Sequence, residues 1–294
     1  MKTILLPTDF SLAAKNAGRY AMHLAKEMHA NIKLCNAVMV PVEVPLAAHV
    51  SVPLEGIDSL EQAAEEELKR AAHKMSELDR LETAIDSHHP VIDYEVGIGP
   101  VTYVVCDLAT NVNVNLVVMG MTGTGGLGRF LFGSNSRAML EAANFPVLIV
   151  PSDISYQKLT KIAFATDLSK ADIAVIHVLA GFARIFNSEI LLVHISDHAP
   201  DNTDVSRKKI DEFLTEVTNK VNYHKIYYQH VLNNTVGDGL DWLAEYGQIQ
   251  MLAMVHRKQK ILYRLFKGSH TQRIRRRIEI PLLVFPPDCL NKVL

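Results

Sequence analysis

The sequence predicts an α/β protein made of two tandem doubly wound domains, each with a five-stranded parallel sheet flanked by helices. The chain has 294 residues, 48% of them hydrophobic, which suits two globular domains with ample cores. A set of short motifs occurs twice along it. Within each copy, short β-rich runs alternate with helical patterns, which is typical of βαβ units and a parallel sheet covered on both faces.

The repeat is visible in two blocks. Near the start of each copy, Thr8-Asp9 follows an apolar run and matches Thr166-Asp167 at an offset of 158 residues. Near the end, Gly133-Ser134 matches Gly268-Ser269 at an offset of 135 residues. The second copy is therefore 23 residues shorter between its second and third strands.

The extra residues of the first copy run from Val40 to about Leu60 and carry prolines among apolar residues. A loop of this length in a compact domain is usually functional or mobile, so we expect a long loop or lid. The short polar linker between the copies begins at Pro151. We therefore expect one domain at residues 1–151 and a second at residues 152–294.

Strands and helices are expected in the same order in both copies. In the first copy the strands are expected at Thr3–Leu6, Ile32–Met39, Val91–Val96, Leu116–Met119 and Val147–Val150. Helices are expected to start near Ser11 as an N-cap, near Ser59, where Ser59-Leu60-Glu61-Gln62 has the form of a capping box, near Val101 and near Ser134. In the second copy the strands are expected at Lys161–Ala165, Glu189–Ile195, Ile226–Leu232, Gln250–Met254 and Leu282–Phe285.

Charge, cysteine spacing and hydropathy argue against a secreted protein, a membrane protein and a protein with a Cys or His metal site. The formal net charge is −2, made of −6 before Pro151 and +4 after it, so the two halves are unlike. Cys35, Cys106 and Cys289 are far apart, and no His or Cys group has metal-ligand spacing, which favours a reduced, cytoplasmic protein without such a metal site. No apolar run is long enough to span a membrane, and no signal-peptide cleavage site follows the first strand. We expect neither secretion nor membrane insertion.

The candidate site lies where the first and fourth strands of the first copy end. In a doubly wound sheet, ligands bind at the carboxyl ends of the strands where the strand order reverses. Pro7-Thr8-Asp9 ends the first strand, and Met119-Gly120 ends the fourth and opens the pattern Gly-x2-Gly-x9-Gly-Ser, which consists of Gly120, Gly123, Gly133 and Ser134. Glycines let backbone N–H groups approach an anion, and a helix N-terminus adds free donors. The pattern favours phosphate, with Asp9 placed for a ribose or a cation; the alternative is that the glycines only form turns and Ser134 only caps a helix.

With these motifs and the closing Pro146-Val-Leu-Ile-Val-Pro151, the chain resembles a tandem of two universal stress protein domains. The resemblance implies a stress-response protein with the strand order 3-2-1-4-5 in each domain, and one branch of the family binds ATP or another adenine nucleotide. It implies a site for ATP, AMP or ADP with Mg²⁺ formed by Pro7, Thr8, Asp9, Ala37, Met119, Gly120, Gly123, Arg129, Gly133, Ser134, Asn135 and Ser136. Asn36 and Ala37 stand where the family commonly has histidine and valine beside the adenine, so we expect a roomier base pocket.

Binding is expected here rather than catalysis. Phosphoryl transfer needs charge compensation and a positioned nucleophile or base. The glycine loop lacks the Gly-Lys-Ser/Thr of a P-loop, Arg129 is its one cation before Ser134, and Asp9 has no second aspartate beside it. We therefore predict no catalytic residue and at most slow ATP hydrolysis. Two alternatives stay open: an adaptor that binds no nucleotide and acts through protein contacts, and a slow ATPase.

The second copy has lost part of the motif. Val255 and Lys258 stand where the first copy has Gly120 and Gly123, so side chains occupy positions where a phosphate needs bare backbone. We expect a structural or regulatory role for this copy. Nine Lys or Arg and no acid lie between His256 and Arg277. We interpret them as a solvated helix face whose cations complement the acidic first copy, and we do not expect nucleic-acid binding because aromatic residues are few here; an anionic partner is the alternative.

The final strand of each copy is an apolar edge that needs cover. The resemblance implies that such edges pair domains with each other. We therefore expect the two copies to form a pseudo-dimer within one chain, and two chains could also associate as a homodimer.

Overall fold

A computed structural model describes residues 2–39, 54–84, 87–121, 134–196, 204–233, 235–257 and 280–286 of the protein. In the N-terminal half, the elements are β1 (Lys2–Pro7), α1 (Leu12–Met28), β2 (Ala30–Val38), α2 (Leu54–Glu82), β3 (Ile92–Ile98), α3 (Val101–Asn111), β4 (Val114–Met121), α4 (Ser134–Ala142) and β5 (Val147–Pro151). In the C-terminal half, they are β6 (Lys161–Ala165), α5 (Asp172–Phe186), β7 (Glu189–Ser196), α6 (Asp204–Lys220), β8 (Ile226–Leu232), α7 (Val236–Tyr246), β9 (Met251–Val255) and β10 (Leu282–Phe285).

The strands form one ten-stranded sheet in the order β3-β2-β1-β4-β5-β10-β9-β6-β7-β8. Each half therefore has the predicted order 3-2-1-4-5, and its own strands are all parallel. The order reverses at β1 and at β6, which are the first strands of the two halves. The doubly wound α/β prediction is confirmed.

The two halves are joined edge to edge by their last strands. β5 and β10 run antiparallel, with Leu282 opposite Ile149 and Val284 opposite Val147. All four of these side chains are buried. The apolar edges thus cover each other inside one chain, as the pseudo-dimer prediction required. An association between two chains would need a different surface, and the homodimer stays a prediction.

Helices cover both faces of the sheet. One face packs against α1, α2, α5 and α6, through residues such as Tyr20 and Phe182. The other face packs against α3, α4 and α7, through residues such as Val105 and Leu243. The central strands are apolar on both faces because helices cover a doubly wound sheet on both sides, whereas the edge strands β3 and β8 also carry exposed side chains. Among the described residues, no helix is both long enough and apolar enough to cross a membrane.

One helix begins earlier than the sequence predicted. The capping box at Ser59 predicted a start there, whereas α2 begins at Leu54. Apolar residues continue at helical spacing through Ile57, Leu60 and Ala64, so the helical period extends past the capping signal. Residues 54–60 of the predicted loop are therefore helical, and residues 40–53 lie outside the described residues. Every other predicted strand boundary and helix start agrees to within two residues.

Candidate functional site

A cleft opens at the carboxyl ends of β1 and β4, where the sequence placed the site. Its lining includes nine of the twelve predicted residues, namely Pro7, Thr8, Asp9, Ala37, Met119, Gly120, Ser134, Asn135 and Ser136. The other three, Gly123, Arg129 and Gly133, lie outside the described residues. The cleft holds about 850 Å³ of empty space when the solvent at its mouth is counted, so it is an open cleft and not an enclosed cavity.

Hydrogen bonds fix the turn between β1 and α1 at one end of the cleft. The Thr8 N–H donates to the Cys35 carbonyl at 2.8 Å, and the Asn36 side-chain amide donates to the Thr8 carbonyl at 2.7 Å. Within the turn, Thr8 Oγ1 accepts from the Phe10 N–H at 3.0 Å, and Asp9 Oδ1 accepts from the Ser11 N–H at 3.1 Å. These bonds hold Phe10 at a left-handed φ of 60°. The exposed Asp9 carboxylate is thus held at the rim of the cleft.

Gly120 lets the end of β4 approach the first turn of α1. A Cβ atom at this position would lie closer than 3.0 Å to the Ala13 carbonyl and to the Ala14 nitrogen, so only glycine fits. The Ser11 side chain caps the same turn by accepting from the Ala14 N–H at 3.2 Å. The sequence predicted that Gly120 leaves the backbone accessible to a phosphate. The structure shows in addition that a glycine is required here for β4 to pack against α1.

The N-terminus of α4 also lines the cleft. Ser134 and Asn135 are exposed, whereas Ser136 is buried, and all three line the cleft. The first N–H groups of a helix have no partner within the helix, and the helix dipole places about half a positive charge there. No acidic side chain stands in the first turn of α4. This end of the cleft therefore favours an anion.

An apolar wall completes the cleft. Val101, Val104 and Val105 of α3 line it together with Ala37 of β2 and Met119 of β4. The valines were missing from the predicted site, although their i, i+3, i+4 spacing after the predicted start of α3 marks a face turned to the sheet. Cys35 also lines the cleft, and its burial raises the pKa of the thiol to about 12, so it is not a nucleophile at neutral pH.

The charge inside the cleft is sparse. Among its described lining residues, Asp9 is the single Asp, Glu, Lys, Arg or His. No group of three or more His, Cys, Asp or Glu in the described part of the chain could hold a metal ion. The described lining can therefore bind an anion and an apolar group, but it supplies one carboxylate and no cation for chemistry.

The C-terminal half has a different arrangement at the corresponding edge. Thr166 and Asp167 follow β6 in a turn like that of Thr8 and Asp9, with Leu168 at a left-handed φ of 61°. Here the guanidinium of Arg257 binds both Asp167 and Asp172. Arg257 was predicted to complement the acidic first copy, and this prediction is wrong because its partners lie within its own half. Residues 258–277 of the basic segment are not among the described residues.

Asp172 lies deep in this C-terminal cluster. Its side chain is 3% exposed, and Thr166 donates a hydrogen bond to it at 2.7 Å. Burial raises the pKa of Asp172 to about 6, and the opposing effects of Thr166 and Arg257 do not cancel the shift. Val255, which aligns with Gly120, is buried. At the offset of 158 residues, the first residue of α1 corresponds to residue 170, whereas α5 begins two residues later, at Asp172. The later start is consistent with the clash that a Cβ would cause at Gly120.

Comparison with known proteins identifies relatives of both halves. The sequence model of the universal stress protein family matches residues 1–151 and again residues 158–286. A universal stress protein of Methanocaldococcus jannaschii is 32% identical over 149 residues, which cover 51% of this chain and 81% of the relative. The crystal structure of a universal stress protein from Archaeoglobus fulgidus DSM 4304 matches with a TM-score of 0.67 at 20% identity, over 97% of this chain and 98% of that one. A putative universal stress protein from Pseudomonas aeruginosa UCBPP-PA14 matches with a TM-score of 0.56 at 11% identity, over 98% and 94% of the two chains.

Proposed function

Because this chain belongs to the universal stress protein family, as a tandem of two such domains, we propose that its N-terminal half binds an adenine nucleotide in the cleft at the ends of β1 and β4. The proposed ligand is ATP with Mg²⁺, and AMP and ADP, which share its adenosine and phosphate groups, are proposed as alternative ligands of the same cleft. The observation that carries the proposal is the convergence of the Asp9 turn, the N-terminus of α4 and the valine wall of α3 on one cleft.

Each part of the nucleotide has a matching part of the cleft. The apolar surface of Ala37, Val101 and Val104 suits the flat face of a base. Asp9 keeps acceptor capacity beyond its bond to the Ser11 N–H, which suits ribose hydroxyls. The free N–H groups of α4 and the hydroxyls of Ser134 and Ser136 suit phosphate oxygens. The described residues thus fit a nucleotide, with its anionic end at α4.

Magnesium would be held mainly by the nucleotide itself. Mg²⁺ keeps several waters and is usually bound through substrate phosphates and one or two carboxylates. Asp9 is the single carboxylate among the described lining residues. We therefore propose that Mg²⁺ binds together with the nucleotide and is coordinated mainly by its phosphates.

We propose binding without efficient turnover as the activity of this cleft. Phosphoryl transfer needs cations to compensate the charge that develops and a group that positions the nucleophile. The described lining offers Asp9 and the dipole of α4, with no second acid or base beside Asp9. A slow ATPase is the enzymatic alternative, and loss of its turnover in Asp9→Ala would support it.

We propose that the C-terminal half binds no nucleotide and supports the first half structurally. Arg257 binds Oδ1 of Asp167, the counterpart of Asp9, and neutralises its charge, which makes this carboxylate a weaker acceptor for a ribose hydroxyl. Val255 adds a side chain where β4 has Gly120. Its structural role is to cover the edge strand β5 of the N-terminal half, with which β10 pairs.

A pair of matched variants tests the nucleotide site. Ser134→Asp keeps a residue that can cap α4 and adds a negative charge beside the proposed phosphate position. We expect calorimetric titration with ATP and MgCl₂ to give a dissociation constant at least about tenfold higher for this variant, which corresponds to about 1.4 kcal/mol. The aligned change Ser269→Asp in the C-terminal half is the control, and we expect it to leave the affinity unchanged.

Two results of this titration would contradict the proposal. If wild-type protein releases no heat and shows no thermal shift with millimolar ATP, the adaptor alternative takes its place. If Ser134→Asp and Ser269→Asp bind ATP as tightly as the wild type, the nucleotide lies elsewhere.

A further inference from the structure

A second cleft lies between α1 and α2, on the face of the sheet away from α3 and α4. Apolar side chains and one glycine form most of its surface, namely Leu6, Gly18, Met22, Leu34, Met75 and Leu78. It holds about 1,030 Å³ of empty space, counting the solvent at its mouth. The lining follows α1 from Ala14 to Lys26, a length of about 18 Å at the rise of an α-helix. The cleft is thus elongated and apolar.

Cations stand around the mouth of this cleft. Lys15, Arg19 and Lys74 line it and are exposed. In the part of the chain that the structure describes, none of the three forms an ion pair. Two acids also belong to the lining: the buried Asp79 is paired with Lys26 at 2.8 Å, and Glu82 is exposed, so the exposed side chains of the lining comprise three cations and one acid among its Asp, Glu, Lys and Arg residues. This positive rim lies in the half of the chain whose net charge is −6, so it departs from the charge of its surroundings.

The C-terminal half shows that the fold itself does not require this cleft. The offset of 158 residues holds along the whole first helix, because the left-handed C-cap His29 of α1 matches the left-handed C-cap Asn187 of α5. At this offset Gly18 corresponds to Ile176 and Lys15 to Ile173, and both isoleucines are buried. At these two positions α5 thus has buried isoleucines where α1 has a glycine and an exposed lysine.

We propose that the cleft between α1 and α2 binds an amphipathic monoanion, a carboxylate with a medium or long hydrocarbon chain. The chain would lie on the apolar surface between Met22 and Met75, where burial from water favours it. The carboxylate would lie at the rim beside Lys15, Arg19 and Lys74, because opposite charge attracts it there and keeps it in contact with water. A neutral or cationic molecule with a chain of the same length lacks the attraction between the carboxylate and the cations of the rim. This proposal does not depend on nucleotide binding in the first cleft.

Binding of dodecanoate to the full-length protein tests the proposal. Calorimetric titration below the micelle concentration is expected to show one site per chain. The methyl ester of dodecanoate and dodecylammonium have the same chain without the negative charge, and we expect each to bind at least about tenfold more weakly. Equal binding of the three molecules, or no binding of dodecanoate, would overturn the proposal.

Two variants locate the site. Lys15→Glu with Arg19→Glu reverses two exposed charges at the rim and is expected to weaken dodecanoate binding at least about tenfold. The control is Lys158→Glu with Lys170→Glu, which reverses two exposed charges of the C-terminal half and should leave the affinity unchanged. Gly18→Ile, which copies α5, should abolish binding. If this variant does not fold, as judged by its thermal unfolding, the charge-reversal pair alone decides, and unchanged binding in that pair would overturn the proposal.

Discussion

The guanidinium of Arg257 lies 2.5 Å from the Oδ1 of Asp167, at the edge of the sheet where the N-terminal half has its open cleft. The same guanidinium also binds Asp172. Asp9, the counterpart of Asp167, has no cation within ion-pair distance among the described residues. The two halves share one fold but differ at this edge of the sheet, because the aspartate of the C-terminal half is paired with an arginine of the same half, whereas Asp9 lies at the cleft where we propose that a nucleotide binds.

Arg257→Ala is expected to destabilise the protein. Removing the cation leaves the buried Asp172 without its charged partner, and breaking a buried ion pair typically lowers the free energy of unfolding by about 3–5 kcal/mol. Chemical denaturation at pH 8 measures the effect. In the Asp172→Asn background the same change should have a much smaller effect, and an equal effect in both backgrounds would contradict the pairing.

The stability of wild-type protein relative to Asp172→Asn is expected to change with pH. Burial raises the pKa of Asp172 in the folded protein to about 6, above the value of about 4 in an unfolded chain. The folded state therefore binds the proton more tightly, and the stabilisation is fully present below about pH 4 and lost as the pH rises through 6. Wild-type protein should lose about 2–3 kcal/mol relative to Asp172→Asn between pH 4 and pH 7. A constant difference between the two proteins over this range would contradict the raised pKa.

Gly120→Ala is expected to disturb both the packing and the nucleotide cleft. The new Cβ would overlap the backbone of Ala13 and Ala14, and such overpacking lowers the free energy of unfolding by about 1–3 kcal/mol. The shift of α1 should also weaken ATP binding. Thermal unfolding and calorimetric titration measure the two effects.

Gly18→Ala is the matched control for Gly120→Ala. Its Cβ would meet Leu6 and Met75 at 3.4 and 3.6 Å, which are ordinary contacts. Since alanine also favours a helix over glycine by about 1 kcal/mol, this variant should be as stable as the wild type or more stable. Equal stability of the two variants would show that β4 does not approach α1 as described.

The order of strands and helices could be predicted because it depends on local patterns that occur twice. The apolar runs, the N-cap at Ser11 and the duplicated Thr-Asp turn are all properties of short segments. The predicted start of α2 was wrong because two local signals compete in this segment. The helical spacing of apolar residues through Ile57 prevails over the capping box at Ser59.

The contents of the two sites were harder to predict because they depend on contacts between distant segments. Val104 and Asp9 meet in one cleft only after the sheet has formed. Arg257 belongs to a basic run whose sequence gives no sign that one member turns to Asp167, 90 residues before it. The packing role of Gly120 likewise depends on the approach of α1, which no pattern around Gly120 encodes.

The stoichiometry of ATP binding tests the central claim most directly, because the claim distinguishes the two halves. Calorimetric titration of the full-length protein with ATP in excess MgCl₂ measures it. We predict one nucleotide per chain, bound in the N-terminal half and weakened by Ser134→Asp. No binding would contradict the proposed nucleotide function, and two nucleotides per chain would contradict the proposal that the C-terminal half, with Arg257 and Val255 at the corresponding edge, binds none.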